Sequence, residues 1–154
     1  MVNYREAFYD EKTENLCVVM DFANEGDLGV HFLFIQHKIK KHLNARVRIK
    51  EESIWRVAYE VLEGLNKLHD NNIIHRDIKP ANVFFNNGAA QIGDLNVAKH
   101  LKDPFTVTQT GTPYYASPEV WSEEPYNYKS DIWSLGCILY EMAVLKPPFR
   151  ADTP

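Results

Sequence analysis

The sequence contains few cysteines, few glycines and no long hydrophobic run. Only two of its 154 residues are cysteine, and Cys17 and Cys137 both lie within apolar stretches, which predicts reduced core thiols rather than a disulfide framework. The best candidate for a membrane span, residues 132–145, is too short for a bilayer and carries Glu141. The N-terminus has no apolar core of a secretory signal. These absences predict a protein of the cytoplasm or nucleus with no membrane partner.

No excess of positive charge indicates a polyanionic partner. The 21 acidic residues outnumber the 17 Lys and Arg residues, and the net charge of −4 gives no global attraction to nucleic acid. Residues 37–50 are locally basic, but a solvated helix end and loop explain them more simply than a binding patch does. The six histidines show no zinc-ligand spacing with cysteine or carboxylates. We therefore expect neither a nucleic-acid partner nor a zinc site.

Apolar spacing indicates three helices. The clearest covers residues 54–68, where apolar residues recur at i, i+3, i+4 and i+7, and it is expected to end at the turn at residues 70–72. Asp27 can cap an earlier helix over residues 28–39. Residues 130–144 are apolar nearly all round, which predicts a buried central helix. All the tryptophans are expected to be packing residues: Trp55, Trp121 and Trp133.

Short strands are indicated between these helices. Residues 16–22 form an apolar run of strand length. Residues 83–85 and 89–92 flank Asn87-Gly88, a strong signal for a hairpin turn. Residues 99–112 are polar and rich in threonine, which is typical of a loop. Helices therefore dominate over small hairpins, and the predicted fold class is α+β.

The loop after the longest predicted helix carries a catalytic pattern. Residues 75–82 read His-Arg-Asp-Ile-Lys-Pro-Ala-Asn and match H-R-D-x-x-x-x-N, the catalytic-loop pattern of protein kinases. The stretches GTPYY, SPE, SDIWSLG and PPF follow in order. From Tyr4 to Pro148 the chain therefore resembles the middle of a eukaryotic protein kinase. The phrases GTPYYxSPE and SDIWSLGCxLYEM are similar to those of the NIMA-related group.

The resemblance implies a protein-kinase-like fold and a single partial domain over residues 1–154. Residues 1–22 would be the end of the N-lobe with the hinge strand, and residues 23–154 a mostly helical C-lobe that lacks its last helices. No glycine-rich phosphate loop and no V-A-I-K lysine precede Tyr4. We therefore expect most of the N-lobe to be missing from these residues.

The resemblance also implies roles for four polar residues. Phosphoryl transfer needs metal ions on the phosphates and a nucleophile held in line. Asp77 would orient the substrate hydroxyl and accept its proton, and Lys79 would stabilise charge on the transferred phosphoryl group. Asn82 and Asp94 would ligate Mg²⁺. Each of the Asp and Asn residues alone is as well explained by turn chemistry, and the ordered set is what favours catalysis.

By the same resemblance, ATP would bind at the hinge. Backbone groups at Asp21 and Ala23 would contact adenine, and Met20 would be the gatekeeper residue at the back of the nucleotide pocket. Asp27 would bond to the ribose or cap a helix, and both interpretations stay open.

Regulation is expected in the threonine-rich loop. Thr108 matches the usual phosphorylation position, and Arg76 and Lys99 would bind its phosphate. Thr112 would shape the substrate-binding loop. A plain solvated loop is the alternative.

Some positions depart from the family pattern: Asp94-Leu95-Asn96 stands where the family has Asp-Phe-Gly, and Leu95 keeps an apolar side chain for packing. Asn96 stands where Asp-Phe-Gly has its glycine, so it is expected at a hinge that favours positive φ, with slower switching of the loop. Ser117 stands where many kinases have alanine. Glu119 is expected to lack the arginine that usually pairs with it.

The expected function is ATP- and Mg²⁺-dependent phosphorylation of serine or threonine in protein substrates. The rival, from a different class, is a non-catalytic kinase-like fragment that binds a partner through exposed surface. An inactive full-length pseudokinase is disfavoured because Asp77, Lys79, Asn82 and Asp94 are all intact. Association with the cytoskeleton or cilium is suggested by family analogy alone.

Overall fold

The computed structural model describes residues 1–41, 48–101, 106 and 113–149. Its strands and helices in chain order are β1 (Tyr4–Asp10), β2 (Asn15–Met20), α1 (Leu28–Lys41), α2 (Glu51–Asp70), β3 (Ile73–Ile74), β4 (Val83–Asn86), β5 (Ala89–Ile92), β6 (Lys99–His100), α3 (Pro118–Trp121) and α4 (Lys129–Val144). Short 3₁₀ turns cover Pro80–Asn82 and Pro113–Tyr115. The combination of helices with two-stranded antiparallel sheets confirms the α+β class.

The main core lies between α2, α4 and the β4–β5 hairpin. Its fully buried side chains include Val57, Val61 and Leu65 on α2, Ile92 on β5, and Ile138 and Met142 on α4. The helical period of α2 was predicted correctly, and the helix ends at Asp70 as expected. Leu62, which the same period placed on the apolar face, is 44% exposed because it lies at the edge of that face.

The β4–β5 hairpin forms as Asn87-Gly88 predicts. Asn86 pairs with Ala89, and the two turn residues have φ values of 51° and 75°. Positive φ at both central residues is what a tight turn between twisted strands requires, and asparagine and glycine tolerate it best. In contrast, Lys99 was predicted to begin a loop and instead lies in β6, which pairs with β3.

Asp27 caps α1. Its Oδ1 accepts a hydrogen bond of 3.0 Å from the backbone N–H of Val30, which otherwise has no partner within the first turn of the helix. The cap interpretation is therefore confirmed, and the ribose contact stays a prediction.

Several large apolar side chains are more exposed than predicted. Trp55 is 67% exposed and Trp121 45%, so neither is a core residue. Helix α4 is apolar nearly all round but exposes Trp133, Tyr140 and Val144, because it packs on α2 through its opposite side. Among the described residues no helix is long and apolar enough to cross a membrane.

Candidate active site

One buried carboxylate binds the backbone of the catalytic loop. Asp131, on α4, accepts hydrogen bonds from the backbone N–H groups of His75 at 3.0 Å and Arg76 at 2.9 Å. His69 Nε2 lies 2.8 Å from the same carboxylate. Arg76 has a φ of 69°, a left-handed conformation that costs energy in a non-glycine residue. The bonds to Asp131 hold that conformation in place, as expected of an anchor.

Two of the predicted site residues, Lys79 and Asn82, converge on the carboxylate of a third, Asp77. Lys79 Nζ lies 2.8 Å from Asp77 Oδ2. Asn82 Nδ2 donates to the same oxygen at 3.1 Å and to the backbone oxygen of Asp77 at 2.8 Å. Asn82 is buried, whereas Asp77 and Lys79 are partly exposed. The carboxylate is thus oriented by two neighbours and still reached by solvent.

The β4–β5 hairpin brings Asp94 to the same end of the structure as Asn82. Val83 pairs with Ile92, and the N–H of Gly93 donates to the backbone oxygen of Asn82 at 3.1 Å. Asp94 follows Gly93 directly, so its backbone lies at the same end of the hairpin as Asn82.

His75 is a packing residue. It is fully buried, and its Nε2 lies 3.1 Å from the backbone oxygen of Gly93. The backbone N–H of Asp77 lies 3.3 Å from His75 Nδ1. Because both ring nitrogens are occupied, His75 joins the catalytic loop to the segment before Asp94 and is not placed for proton transfer.

The positive φ expected at Asn96 occurs at Asp94 instead. Asp94 has a φ of 61°, and Asn96 lies outside the left-handed region. The N–H of Asn96 approaches Asp94 Oδ1 at 3.4 Å. Because aspartate also tolerates the left-handed conformation, the turn forms without special backbone freedom at Asn96.

The chemistry of these side chains fits Mg²⁺. Asn82 directs its amide nitrogen at Asp77, so its side-chain oxygen faces away from that carboxylate. Asp94 adds a carboxylate. Magnesium takes oxygen ligands, keeps several waters, and is usually held by one or two protein side chains together with substrate phosphates.

Comparison with known proteins agrees with this geometry. The protein kinase domain family matches residues 1–154. The chain belongs to that family. It is 40% identical to the probable serine/threonine-protein kinase nek2 of Dictyostelium discoideum, over 98% of this chain and 36% of that protein. It is 40% identical to Nek3 of Mus musculus, over 99% of this chain and 28% of that protein. It is 38% identical to Nek2 of Homo sapiens, over 98% of this chain and 34% of that protein.

The resemblance to the NIMA-related group is thereby confirmed for this stretch of sequence. The chain spans only about a third of the length of these relatives, between 28% and 36%. Protein kinases as a family use ATP and Mg²⁺ and act on protein substrates.

The segment after β2, where the hinge is expected, contains an interaction that the sequence did not predict. Asp21 is bonded to Arg5 at 2.6 Å and to Asn3 at 2.9 Å, and these two partners hold the pKa of its carboxyl below the usual range. Ala23 is half-buried just beyond it. Met20, the last residue of β2, is 46% exposed.

Two of the predicted regulatory residues, Thr108 and Thr112, lie outside the described residues. Arg76 Nε donates to the backbone oxygen of Val97 at 2.7 Å, and its Nη1 is buried with no partner among the residues that the structure describes. Lys99 Nζ donates to Thr106 Oγ1 at 2.9 Å.

A chain of buried hydroxyl groups was also missed. Ser117 donates to Ser130 at 3.0 Å, and Ser130 donates to Glu119 at 2.8 Å. Burial alone would raise the pKa of Glu119, but its own backbone N–H and the hydroxyls of Ser130 and Ser117 outweigh burial and lower it. Glu119, expected to lack the arginine that usually pairs with it, is bonded to the Ser130 hydroxyl.

The other end of this segment is tied to α4 as well. Ser134 donates to the backbone oxygen of Tyr115 at 2.8 Å, and the Tyr115 hydroxyl donates to Glu141 at 2.8 Å. Burial raises the pKa of Tyr115, and the bond to Glu141 adds to that rise. Burial raises the pKa of Glu141, and the bond from Tyr115 opposes it. The residues of α4 that take part in these bonds are Ser130, Ser134 and Glu141. Sequence motifs do not identify this spacing.

Proposed function

We propose that this chain carries the phosphoryl-transfer centre of a serine/threonine protein kinase. The protein would transfer the γ-phosphoryl group of ATP to a serine or threonine hydroxyl of a protein substrate. The observation that supports the proposal best is the convergence of Lys79 and Asn82 on Asp77, at 2.8 Å and 3.1 Å. Turn chemistry alone gives no reason for a cation and an amide to share one carboxylate oxygen.

In the proposed reaction each residue has one task. The Asp77 carboxylate accepts a hydrogen bond from the substrate hydroxyl, orients its oxygen toward the γ-phosphorus, and takes the proton as the new P–O bond forms. The bond from the γ-phosphorus to the β–γ bridging oxygen breaks at the same time, and that oxygen leaves with its electron pair as part of ADP. The Lys79 ammonium moves from Asp77 to the oxygens of the phosphoryl group. Asn82 and Asp94 would hold Mg²⁺, which supplies charge neutralisation on the nucleotide phosphates.

The nucleotide would enter at the end of β2. Backbone groups at Asp21 and Ala23 are proposed to bond to adenine. Asp27 uses Oδ1 to cap α1, so a ribose contact would fall to its other oxygen. The serine/threonine preference rests on Lys79, on Thr112, and on the names of the relatives.

Control by phosphorylation of Thr108 belongs to the same proposal. The phosphate would meet Arg76, whose Nη1 has no partner among the described residues. Lys99 would exchange Thr106 for the phosphate, because a charge-assisted bond is stronger than one to a neutral hydroxyl. Thr108→Ala should then leave basal phosphorylation unchanged and remove the increase that follows an activating phosphorylation.

The test of the main proposal uses the protein as cells produce it. Transfer of labelled phosphate from ATP to casein is compared for the wild type, Asp77→Asn and Asp70→Asn. Asp77→Asn should lower the rate at least about a hundredfold while ADP still binds. Asp70 is the matched control, because it is an exposed carboxylate bonded only locally to Asn66. A full rate in Asp77→Asn would disprove the proposal.

A second candidate function, partner binding without catalysis, is supported by exposed apolar surface. Leu16 is 71% exposed and Phe22 84%, and Trp133 and Phe149 stack beside a groove of about 290 Å³ on α4. Exposed apolar patches commonly mark interaction sites. If this function is the relevant one, Asp77→Asn should retain the cellular role of the protein and Leu16→Glu should lose it.

A further inference from the structure

Asp21, the first residue after β2, is held by three hydrogen bonds from one short segment. Its two carboxylate oxygens accept separately, Oδ1 from Arg5 Nε at 2.6 Å and Oδ2 from Asn3 Nδ2 at 2.9 Å. Its backbone N–H donates to the carbonyl oxygen of Asn3 at 2.9 Å. Two side chains and one peptide group therefore fix both the position and the rotation of the residue whose backbone is proposed to face adenine.

An irregularity in β1 explains the reach of Arg5. Tyr4 pairs with Met20 and Glu6 pairs with Val19, so Arg5 is the extra residue between the two pairs. A bulge of this kind re-aims a side chain and is common beside active sites. Here the bulge lies at Arg5, whose guanidinium bonds to Asp21.

The alternate residues of the same segment contact the loop after β5. Val2 is buried, and its N–H donates to the backbone oxygen of Ile92 at 2.8 Å. A Cβ on Gly93 would lie 3.2 Å from Val2 Cγ2, so these two residues are in close contact. The N–H of Leu95 approaches the Tyr4 hydroxyl at 3.4 Å. One run of four residues therefore contacts Asp21 through Asn3 and Arg5, and residues 92–95 through Val2 and Tyr4.

We propose that residues 2–5 form a brace that fixes the separation between the hinge and the Asp94 loop, with Asn3, Arg5 and the Asp21 carboxylate as positioning residues for the nucleotide. This inference rests on the proposed function. Adenine at Asp21 and the phosphates near Asp94 belong to one ligand. A fixed separation between the two protein contacts therefore lowers the cost of engaging both ends at once.

The brace makes a distinctive prediction for ligands of different length. Adenosine reaches only the hinge, whereas ADP with Mg²⁺ spans the hinge and Asp94. In Asp21→Asn or Arg5→Ala, the affinity for ADP with Mg²⁺ should fall about three- to fivefold and the affinity for adenosine by less than about twofold, the scale of a surface ion pair. Arg5→Lys should restore part of the lost affinity.

Isothermal titration calorimetry on the full chain measures both ligands. Asp10→Asn is the matched control, because Asp10 bonds to Thr13 in the turn of the same hairpin and does not contact the hinge. Circular dichroism checks that each variant folds, and Asn3→Ala carries the same test if Asp21→Asn does not fold.

Two results would overturn the brace. Equal losses for the two ligands would mean that Asp21 orients the hinge alone, and unchanged affinities in all variants would mean that its bonds have no effect on binding. If the unsubstituted protein binds no ADP with Mg²⁺, the proposed function itself fails. That result is distinct from a wild type that binds and variants that bind equally well.

Discussion

The β1–β2 hairpin and the catalytic loop are held in opposite ways. Nearly every residue of β1 and β2 is exposed, and the bond from Arg5 to Asp21 lies at the surface. The catalytic loop is anchored by Asp131, which is 1% exposed. Water can replace either partner of a surface ion pair. A buried carboxylate that loses its partners cannot form hydrogen bonds to water instead. The loop should therefore tolerate substitution far less than the hairpin does.

The strongest test of this difference is removal of the buried anchor. Asp131→Ala leaves the N–H groups of His75 and Arg76 without an acceptor, so the free energy of unfolding should fall by about 4 kcal/mol. Urea unfolding followed by circular dichroism measures the change. Asp70→Ala is the exposed control, and equal losses in the two variants would contradict the assigned role of burial.

The same contrast can be tested within a single helix. Leu65 is fully buried and Leu62 is 44% exposed, although both lie on α2. Leu65→Ala should lower the free energy of unfolding by about 3 kcal/mol, because it removes contacts and leaves a cavity. Leu62→Ala should lower it by less than about 1 kcal/mol. A cost at Leu62 that matches Leu65 would show that the exposed face is covered in solution.

A smaller effect is expected from pH at Glu141. Burial raises its pKa in the folded protein above the ordinary value of 4.5, so the folded state binds this proton more tightly than the unfolded state does. The resulting stability is full below pH 4.5 and is lost as pH rises through the folded pKa. Glu141→Gln should thus gain stability relative to wild type as pH rises from 4 to 7. Urea midpoints at several pH values would show this, and a constant difference would contradict it.

The reactivity of the two cysteines tests the same difference between the exposed hairpin and the buried core, without a large change in stability. Cys17 is half-buried in β2, whereas burial raises the pKa of Cys137 on α4 to about 11. The thiolate is the reactive form, so at pH 8 a disulfide reagent should modify Cys17 first. Cys17→Ser should remove the fast phase of the reaction. A fast phase that survives would place the reactive thiol on α4.

Local patterns predicted the parts of the fold that neighbours in sequence determine. Asp77, Lys79 and Asn82 lie within six residues, so the spacing alone brought them together. The Asn87-Gly88 turn has its own backbone preference, which set the register of β4 and β5.

The remaining contacts join distant residues and have no local signal. Ser130 meets Glu119 from eleven residues away, and Arg5 meets Asp21 from sixteen. Pairing Arg5 with Asp21 requires the register of β1 and β2, whose turn has no Asn-Gly pair. The exposed face of α4 shows a further limit, because hydrophobic residues look alike in sequence whether or not another element covers them.

Helix α4 holds two parts of the site at a fixed distance from each other when the helix shifts as a rigid body. Asp131 carries the backbone of the catalytic loop, and Ser134, three residues later, carries the backbone of Tyr115. When the helix shifts as a rigid body, both attachments move by the same amount in the same direction. The distance between the catalytic loop and the segment at Tyr115 then stays the same, because both have moved together. Bending of the single turn of helix between Asp131 and Ser134 does change that distance.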